Sequence, residues 1–187
     1  GTSSRFGAEL DSLADVVCFG AVPAFILYSW GLDRFGTPGW MICLLLASAT
    51  ALRLARFNVA VDVPNKPVWS AGFFTGVPAP GGAFLSLLPV YMANAGLLEQ
   101  SQAVVLACFS VPLVASLMVS TIPTLSGKAR ARLRPFRRLA AVAAIVIILV
   151  ATGALDLWLA LAALACLYLC TLPISLLRHG KLARRTR

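Results

Sequence analysis

Residues 7–32 read GAELDSLADVVCFGAVPAFILYSWGL, so two carboxylates, Asp11 and Asp15, lead directly into a long apolar run. Residues four apart share a face of an α-helix, and Gly7, Asp11 and Asp15 therefore form one stripe. Carboxylates that enter a membrane helix are costly and usually functional. Such a pair is what hard cations such as Mg²⁺ or Mn²⁺ bind, often together with a substrate phosphate. The alternative is two acidic residues that only favour the helix dipole.

The composition of the chain predicts a membrane protein. Of its 187 residues, 59% are hydrophobic and 12% are charged, and the mean hydropathy is +0.87. Soluble domains are far more polar, and a chain of this kind satisfies its backbone hydrogen bonds as membrane helices. We predict an all-α, polytopic transmembrane helical bundle that forms a single membrane domain over residues 1–187. The net charge of +9 does not indicate a nucleic-acid partner, because the basic residues lie at the ends of apolar segments.

Six apolar segments are each near the ~20 residues needed to cross a bilayer. They are, approximately, Leu13–Leu32, Gly39–Phe57, Val77–Leu97, Ala103–Ile122, Leu139–Gly153 and Leu155–Leu177. Lys and Arg are concentrated after the second, fourth and sixth segments, whereas the intervening loops carry only Arg34. By the positive-inside rule, both termini and the two long loops face the cytoplasm. The Asp11 and Asp15 pair is then on the cytoplasmic side as well.

The pattern G-x-x-x-D-x-x-x-D at Gly7, Asp11 and Asp15 resembles half of a known signature. In the CDP-alcohol phosphatidyltransferase family, D-x-x-D-G-x-x-A-R precedes this pattern. The stretches FGAELDSLADVVCFGAVPA, LRLARFNV, FFTGVPAPGGA and SLMVSTIPTLSGK are similar, in that order, to the membrane-embedded bacterial phosphatidylserine synthases of this family. The resemblance ends at Lys128. It implies that the N-terminal helices and the first half of the signature are missing here, so that the chain alone would be inactive.

The resemblance also implies a reaction and a cofactor. The phosphatidyl group of CDP-diacylglycerol would pass to L-serine, giving phosphatidylserine and CMP, with Mg²⁺ or Mn²⁺ bound by Asp11 and Asp15. Asp15 would also be the catalytic base that takes the proton of the acceptor hydroxyl. Gly7 would allow close approach of the nucleotide. The enzyme would lie among the lipids of the bacterial inner membrane with its active site facing the cytoplasm. A homodimer is one possible assembly.

Two other interpretations of the chain remain. A relative in the same family would use glycerol 3-phosphate or an inositol phosphate as the acceptor. These acceptors are more anionic and should require more basic residues near the site. In the other interpretation the chain is a transporter or a small assembly subunit, and its paired intramembrane acids line an ion path.

Arg53, Arg56 and Asn58 form a second candidate group, at the end of the second apolar segment. The two arginines are three residues apart, so they are expected to share a helix face. A guanidinium group binds phosphate or carboxylate well, and the donor and the acceptor carry one of each. The alternative is that both arginines only anchor the helix end at the membrane surface.

Gly76, Pro78 and Pro80 open the third segment and are similar to a Gly-x-Pro-x-Pro stretch of the resembled enzymes. These glycine and proline residues could line the substrate pocket, or they could simply form the turn that begins a helix. The resembled enzymes usually continue with alanines, and Gly81-Gly82 replaces part of that run here.

Ser126 and Lys128 follow the fourth segment on the predicted cytoplasmic side. Lys128 would meet either the lipid phosphate or the serine carboxylate. The basic run after it is expected to form a patch that binds anionic lipids.

Overall fold

The computed structural model describes residues 5–61, 73–120, 123–125 and 156–169. Helices dominate these ranges, which confirms the predicted all-α class. The helices are α1 Arg5–Val16, α2 Val22–Trp30, α3 Thr37–Val61, α4 Ala79–Ser86, α5 Leu88–Asn94, α6 Gln100–Val119 and α7 Leu157–Leu169. Two short strands, β1 Phe73–Thr75 and β2 Pro123–Leu125, pair antiparallel, with Phe73 opposite Leu125.

Within the described part of the chain, three helical stretches are long and apolar enough to cross a membrane. They are Glu9–Trp30, Thr37–Val59 and Gln100–Val119. Large apolar side chains such as Phe25, Met41 and Phe109 are 63–73% exposed on their outer faces. A helix that is apolar on both its packed and its outer side is typical of a protein surrounded by lipid.

The first of these stretches contains a π turn, Val17–Ala21, between α1 and α2. The Val22 N–H donates to the Val17 carbonyl, five residues back. Pro23 follows directly and has no N–H to donate, so the regular helix pattern would lose a bond there in any case. Single π turns within α-helices occur frequently at functional sites. This one begins two residues after Asp15.

Close packing of the first stretch on α3 depends on Gly20 in the π turn. A Cβ at Gly20 would lie 3.0 Å from the Thr50 Cβ. Thr50 is fully buried, and its hydroxyl donates to the Leu46 carbonyl at 2.9 Å. The buried core continues from this contact through Leu27, Leu46 and Val111, which link the first stretch, α3 and α6.

The predicted segment Val77–Leu97 is not one continuous helix. It contains α4 and α5, which meet at Leu87 with φ −86° and ψ 0°. Pro89 cannot donate the bond that would continue the helix across this junction. The two short helices nevertheless run the length of α6, since Gly76 lies beside the α6 C-terminus and Glu99 caps its N-terminus.

The remaining predicted segments are covered only in part. Leu139–Gly153 lies outside the described residues, and of Leu155–Leu177 the structure describes residues 156–169. Asp156 begins α7 by accepting a hydrogen bond from the Trp158 N–H at 2.9 Å. Six membrane-crossing segments in a single domain over residues 1–187 therefore stay a prediction.

Candidate active site

Hydrogen bonds between helices bring several predicted site residues to one end of the bundle. Asn58 on α3 donates from Nδ2 to the Ser12 hydroxyl on α1 at 2.9 Å. Arg56 donates from its guanidinium to the Val119 carbonyl at the end of α6. Helix α1 at Ser12 and the ends of α3 and α6 are therefore neighbours. At the other end, Gln100 donates to the Trp30 carbonyl at 3.2 Å, which joins the start of α6 to the end of α2.

Asp11 and Asp15 lie one turn apart on α1, as predicted. Asp11 is exposed and Asp15 is half-buried. Ser12, which accepts the bond from Asn58, lies between them and fixes the rotation of α1 against α3. Gly7, in the first turn of α1, is exposed.

Arg53 is the only charged side chain that is buried among the described residues, with 9% of its surface exposed. Its Nε–H finds no hydrogen-bond partner in the described part of the chain. The guanidinium interacts electrostatically with the Asp15 carboxylate and with Tyr168 on α7. A buried guanidinium with an unused donor is costly, and an anion that accepts from it would remove that cost.

Arg56 has a different environment from Arg53, although their spacing predicts a shared helix face. It is exposed and bonds to the Val119 carbonyl. The last carbonyls of a helix lack intrahelical partners and carry partial negative charge, so a guanidinium there is favourable. Arg56 thus holds the ends of α3 and α6 together, whereas Arg53 faces the interior.

The loop before α4 also packs on the α6 C-terminus. Gly76 has φ +74°, and a Cβ there would lie 2.5 Å from the Met118 carbonyl oxygen and 2.9 Å from that of Ser120. The Val77 N–H donates to the Leu117 carbonyl at 3.3 Å. Pro78 is half-buried at the N-cap of α4, and Pro80 is exposed in its first turn. The Gly-x-Pro-x-Pro stretch is a helix entry that lies at the site end of the bundle.

Gly81 and Gly82, in the first turns of α4, are covered by neighbouring side chains. A Cβ at Gly81 would lie 2.7 Å from the Tyr168 hydroxyl oxygen. A Cβ at Gly82 would overlap the Met118 sulfur. The absence of side chains at these two positions lets α6 and α7 approach α4 closely.

Ser126 and Lys128 lie outside the described residues, so their proposed roles stay predictions. Ser12 and Tyr168, in contrast, belong to this site and were not predicted. Ser12 could have been noticed because it stands between the two carboxylates. Tyr168 had a weaker signal, since it is one polar aromatic residue in an apolar segment.

The carboxylate pair fits one side of a divalent metal site. Two carboxylates one turn apart present oxygen donors of the kind that Mg²⁺ and Mn²⁺ prefer. In the ranges that the structure describes, no group of three or more His, Cys, Asp or Glu side chains comes together. Asp11 and Asp15 would therefore need further ligands, from substrate phosphate, water or other carboxylates.

Comparison with known proteins places the chain beside one family. A family model described as CDP-alcohol phosphatidyltransferase matches residues 1–120. The CDP-diacylglycerol–serine O-phosphatidyltransferase of Mycobacterium tuberculosis is 49% identical over 80 residues, which are 43% of this chain and 28% of that protein. The protein of the same name from Helicobacter pylori is 41% identical over 93 residues, 50% of this chain and 37% of the relative.

A third relative is less similar in sequence. The CDP-diacylglycerol–serine O-phosphatidyltransferase of Methanocaldococcus jannaschii is 39% identical over 100 residues, which are 50% of this chain and 43% of that protein. The chain spans less than half the length of each of these curated relatives.

Proposed function

This chain belongs to the CDP-alcohol phosphatidyltransferase family, whose model matches residues 1–120, and we propose that it transfers a phosphatidyl group from CDP-diacylglycerol to L-serine. The products are phosphatidylserine and CMP. The observation that carries this proposal is the buried Arg53, whose Nε–H has no partner among the described residues and whose guanidinium interacts electrostatically with Asp15. The names of the relatives and the sequence resemblance support the same acceptor.

In the proposed reaction, the serine hydroxyl oxygen attacks the phosphorus that carries the diacylglycerol. The bond from that phosphorus to the oxygen shared with the CMP phosphate breaks, and CMP leaves with the electron pair. The serine proton passes to Asp15, which must be within hydrogen-bond reach of the hydroxyl. Asp15 suits this role because it is half-buried and interacts with Arg53.

Arg53 binds the carboxylate of serine in this proposal. A guanidinium donates to a carboxylate in a fixed geometry, and burial strengthens the interaction because little water competes. Asp15 and Arg53 would then hold the two ends of one small amino acid. Glycerol 3-phosphate and inositol phosphates carry more negative charge, whereas Arg53 is the only buried charged side chain that the described residues provide.

Asp11 and Asp15 would hold Mg²⁺ or Mn²⁺ together with the diphosphate of the donor. When bound, the metal neutralises negative charge on the phosphates during transfer. Gly7, in the first turn of α1, would allow close approach of the nucleotide. The bacterial inner membrane, with the site on the cytoplasmic face, is the proposed location, because basic residues are concentrated at that end of the segments.

The test is CMP release by the full-length protein in vesicles that contain CDP-diacylglycerol. L-serine, glycerol 3-phosphate and inositol phosphate are offered separately, each with Mg²⁺, with Mn²⁺ and with excess chelator. We expect CMP release to require L-serine and a divalent metal. Release with a phosphorylated acceptor but not with serine would reassign the substrate, and no release with any acceptor would favour the non-enzymatic interpretation.

Arg53→Met tests the observation on which the proposal rests. Removing the guanidinium should raise the KM for serine by about tenfold to a hundredfold, the usual cost of losing a charged hydrogen bond. Arg34→Met is the matched control, because Arg34 is exposed in the turn at the opposite end of the bundle. An unchanged serine KM in Arg53→Met would remove Arg53 from the acceptor site.

A further inference from the structure

Asn58, near the end of α3, bonds directly to the helix that carries the carboxylate pair. Its Nδ2 donates to the Ser12 hydroxyl at 2.9 Å, and both side chains are half-buried. Ser12 immediately follows Asp11 in the sequence and precedes Asp15 by one helical turn. The amide of Asn58 is therefore engaged with α1 at the level of the two carboxylates.

The direction in which Ser12 faces decides where the two carboxylates lie. Successive residues of an α-helix are about 100° apart around its axis, so Asp15 lies about 60° from Ser12, and Asp11 about 100° in the same direction. When Ser12 faces α3, Asp15 is on the side towards α3 and Asp11 is turned further away. The structure agrees with this geometry, since Asp15 is half-buried and Asp11 is exposed.

Apolar packing contributes little to holding α1 in this rotation. Of the α1 side chains whose exposure the structure describes, Ser12, Asp15 and Val16 are half-buried and the others are exposed. Phe6 and Leu13 are 76% and 64% exposed. Lipid accepts such side chains over a range of helix rotations, whereas a hydrogen bond between helices is directional. The bond from Asn58 is thus well placed to select one rotation.

A second contact holds the same helical stretch on the other side of Asp15. Gly20, in the π turn, is buried against Thr50 of α3, and a Cβ there would lie 3.0 Å from the Thr50 Cβ. Asp15 therefore lies between two contacts with α3. Close backbone packing makes one of them, and the hydrogen bond between Ser12 and Asn58 makes the other.

From these contacts we propose that Asn58 is a positioning residue of the metal site, which acts through Ser12 to hold α1 in the rotation at which Asp11 and Asp15 bind a divalent cation. The proposal rests on the proposed function, because it takes the carboxylate pair to be the metal site. It gives Asn58 a role in cation binding, whereas its place in the sequence groups it with two arginines that suit substrate anions.

Asn58→Leu is the direct test, because it removes the donor and keeps a side chain of similar size. Binding of Mn²⁺ to the full-length protein in detergent is measured from the electron paramagnetic resonance signal of free Mn²⁺. The Kd for Mn²⁺ should rise by about threefold to tenfold, the usual effect of losing one hydrogen bond, while the serine KM at saturating Mn²⁺ changes less than about twofold.

Asn94→Leu is the matched control, since Asn94 donates to the Val90 carbonyl within α5. It should keep the Mn²⁺ affinity of the wild type. A purely structural role for Asn58 would lower thermal stability and leave the Mn²⁺ Kd of the folded protein unchanged, which would contradict the proposal.

A double-mutant cycle tests whether Asn58 acts through Ser12. Ser12→Ala should raise the Mn²⁺ Kd as Asn58→Leu does, and the combination should add little, because each substitution removes the same hydrogen bond. Ser12→Thr keeps a hydroxyl group and should retain most of the affinity. Additive effects of Ser12→Ala and Asn58→Leu would mean that the two residues act separately, which overturns the proposal.

The outcomes distinguish failure of this proposal from failure of the proposed function. If the wild type binds Mn²⁺ but releases no CMP with serine, the proposed function fails, and the Mn²⁺ Kd of Asn58→Leu still decides the role of Asn58. If the wild type is active and Asn58→Leu raises only the serine KM, Asn58 contacts the substrate and the positioning role is overturned.

Two further outcomes are also decisive. If the wild type binds Mn²⁺ no more tightly than Asp11→Asn does, the metal assignment and the positioning role fail together. If Asn58→Leu does not fold, Ser12→Ala decides, and an unchanged Mn²⁺ Kd in that variant overturns the positioning role.

Discussion

At the scale of single residues, the two carboxylates of α1 differ in their surroundings. Asp11 is exposed, whereas Asp15 is half-buried and interacts with Arg53. The proposed division of roles, with Asp11 as a metal ligand and Asp15 as both ligand and base, is compatible with this difference. Arg53 and Arg56 differ in the same way, because one is buried and the other is bound to the end of α6.

The roles of Asp11 and Asp15 can be separated by measuring donor affinity beside turnover. Asp15→Asn should lower turnover by about a hundredfold to ten-thousandfold, the usual contribution of a general base, and reduce CDP-diacylglycerol binding less. Asp11→Asn should weaken metal-dependent donor binding more strongly, because an amide lacks the charge that Mg²⁺ requires.

Glu9→Gln is the matched control for both variants, since Glu9 is an exposed carboxylate on the same helix. It should behave as the wild type. If Asp15→Asn loses donor affinity as severely as Asp11→Asn, Asp15 is chiefly a metal ligand and another group takes the proton. Near-normal CMP release from Asp11→Asn would contradict its assignment to the metal.

At the scale of elements, the C-terminus of α6 organises the site. Arg56 bonds to its Val119 carbonyl, and the loop at Gly76 packs against its last turn. These contacts hold the end of α3 and the start of α4 beside each other. The carbonyls that a helix end leaves unpaired make this point of the bundle suitable for such contacts.

Gly76→Ala tests this packing, and Gly96→Ala is its control. Gly76 and Gly96 have φ values of +74° and +70°, but a Cβ at Gly96 meets nothing within 4 Å. Gly96→Ala should therefore cost about 1–2 kcal/mol for backbone strain alone. Gly76→Ala should cost more, because its Cβ would also meet the α6 carbonyls, and it should lower CMP release.

The measurements are thermal unfolding in detergent micelles and CMP release in vesicles. Equal destabilisation by the two substitutions would mean that the loop moves away from α6 at little cost. In that case, the contact at Gly76 would not contribute to the site.

At the scale of the whole molecule, the described helices lie so that the candidate site residues share one end. Asn58 bonds to Ser12 of α1 and Arg56 to the end of α6, whereas Gln100 and Trp30 mark the opposite end. In the sequence, Lys and Arg are concentrated after the second, fourth and sixth apolar segments. The proposed orientation, with the site facing the cytoplasm, follows from this charge distribution by the positive-inside rule.

Cysteine labelling of intact cells, in a cysteine-free background, tests this orientation. Glu99→Cys should react with a membrane-impermeant reagent added outside, because Glu99 caps α6 at the end away from the site. Arg130→Cys should react only after the membrane is permeabilised, as should a cysteine at Lys66 or Arg187. Labelling of Arg130→Cys in intact cells would overturn the orientation.

The sequence by itself determined the helical class, the apolar character and the carboxylate pair. These features depend on composition and on spacing within a single helix, where residues four apart meet whatever the rest of the chain does. The break at Leu87 was missed, because a proline within an apolar run is compatible with both a kinked and an interrupted helix.

Only the tertiary structure decided which residues join that pair. Asn58 and Ser12 are 46 positions apart and Arg56 and Val119 are 63 apart, so no local pattern links them. The spacing of Arg53 and Arg56 predicts a shared helix face, but in the structure Arg53 is buried and Arg56 bonds to the end of α6. Tyr168 reaches the site because Gly81 leaves space for its ring, and such complementarity between separate helices arises only when they pack.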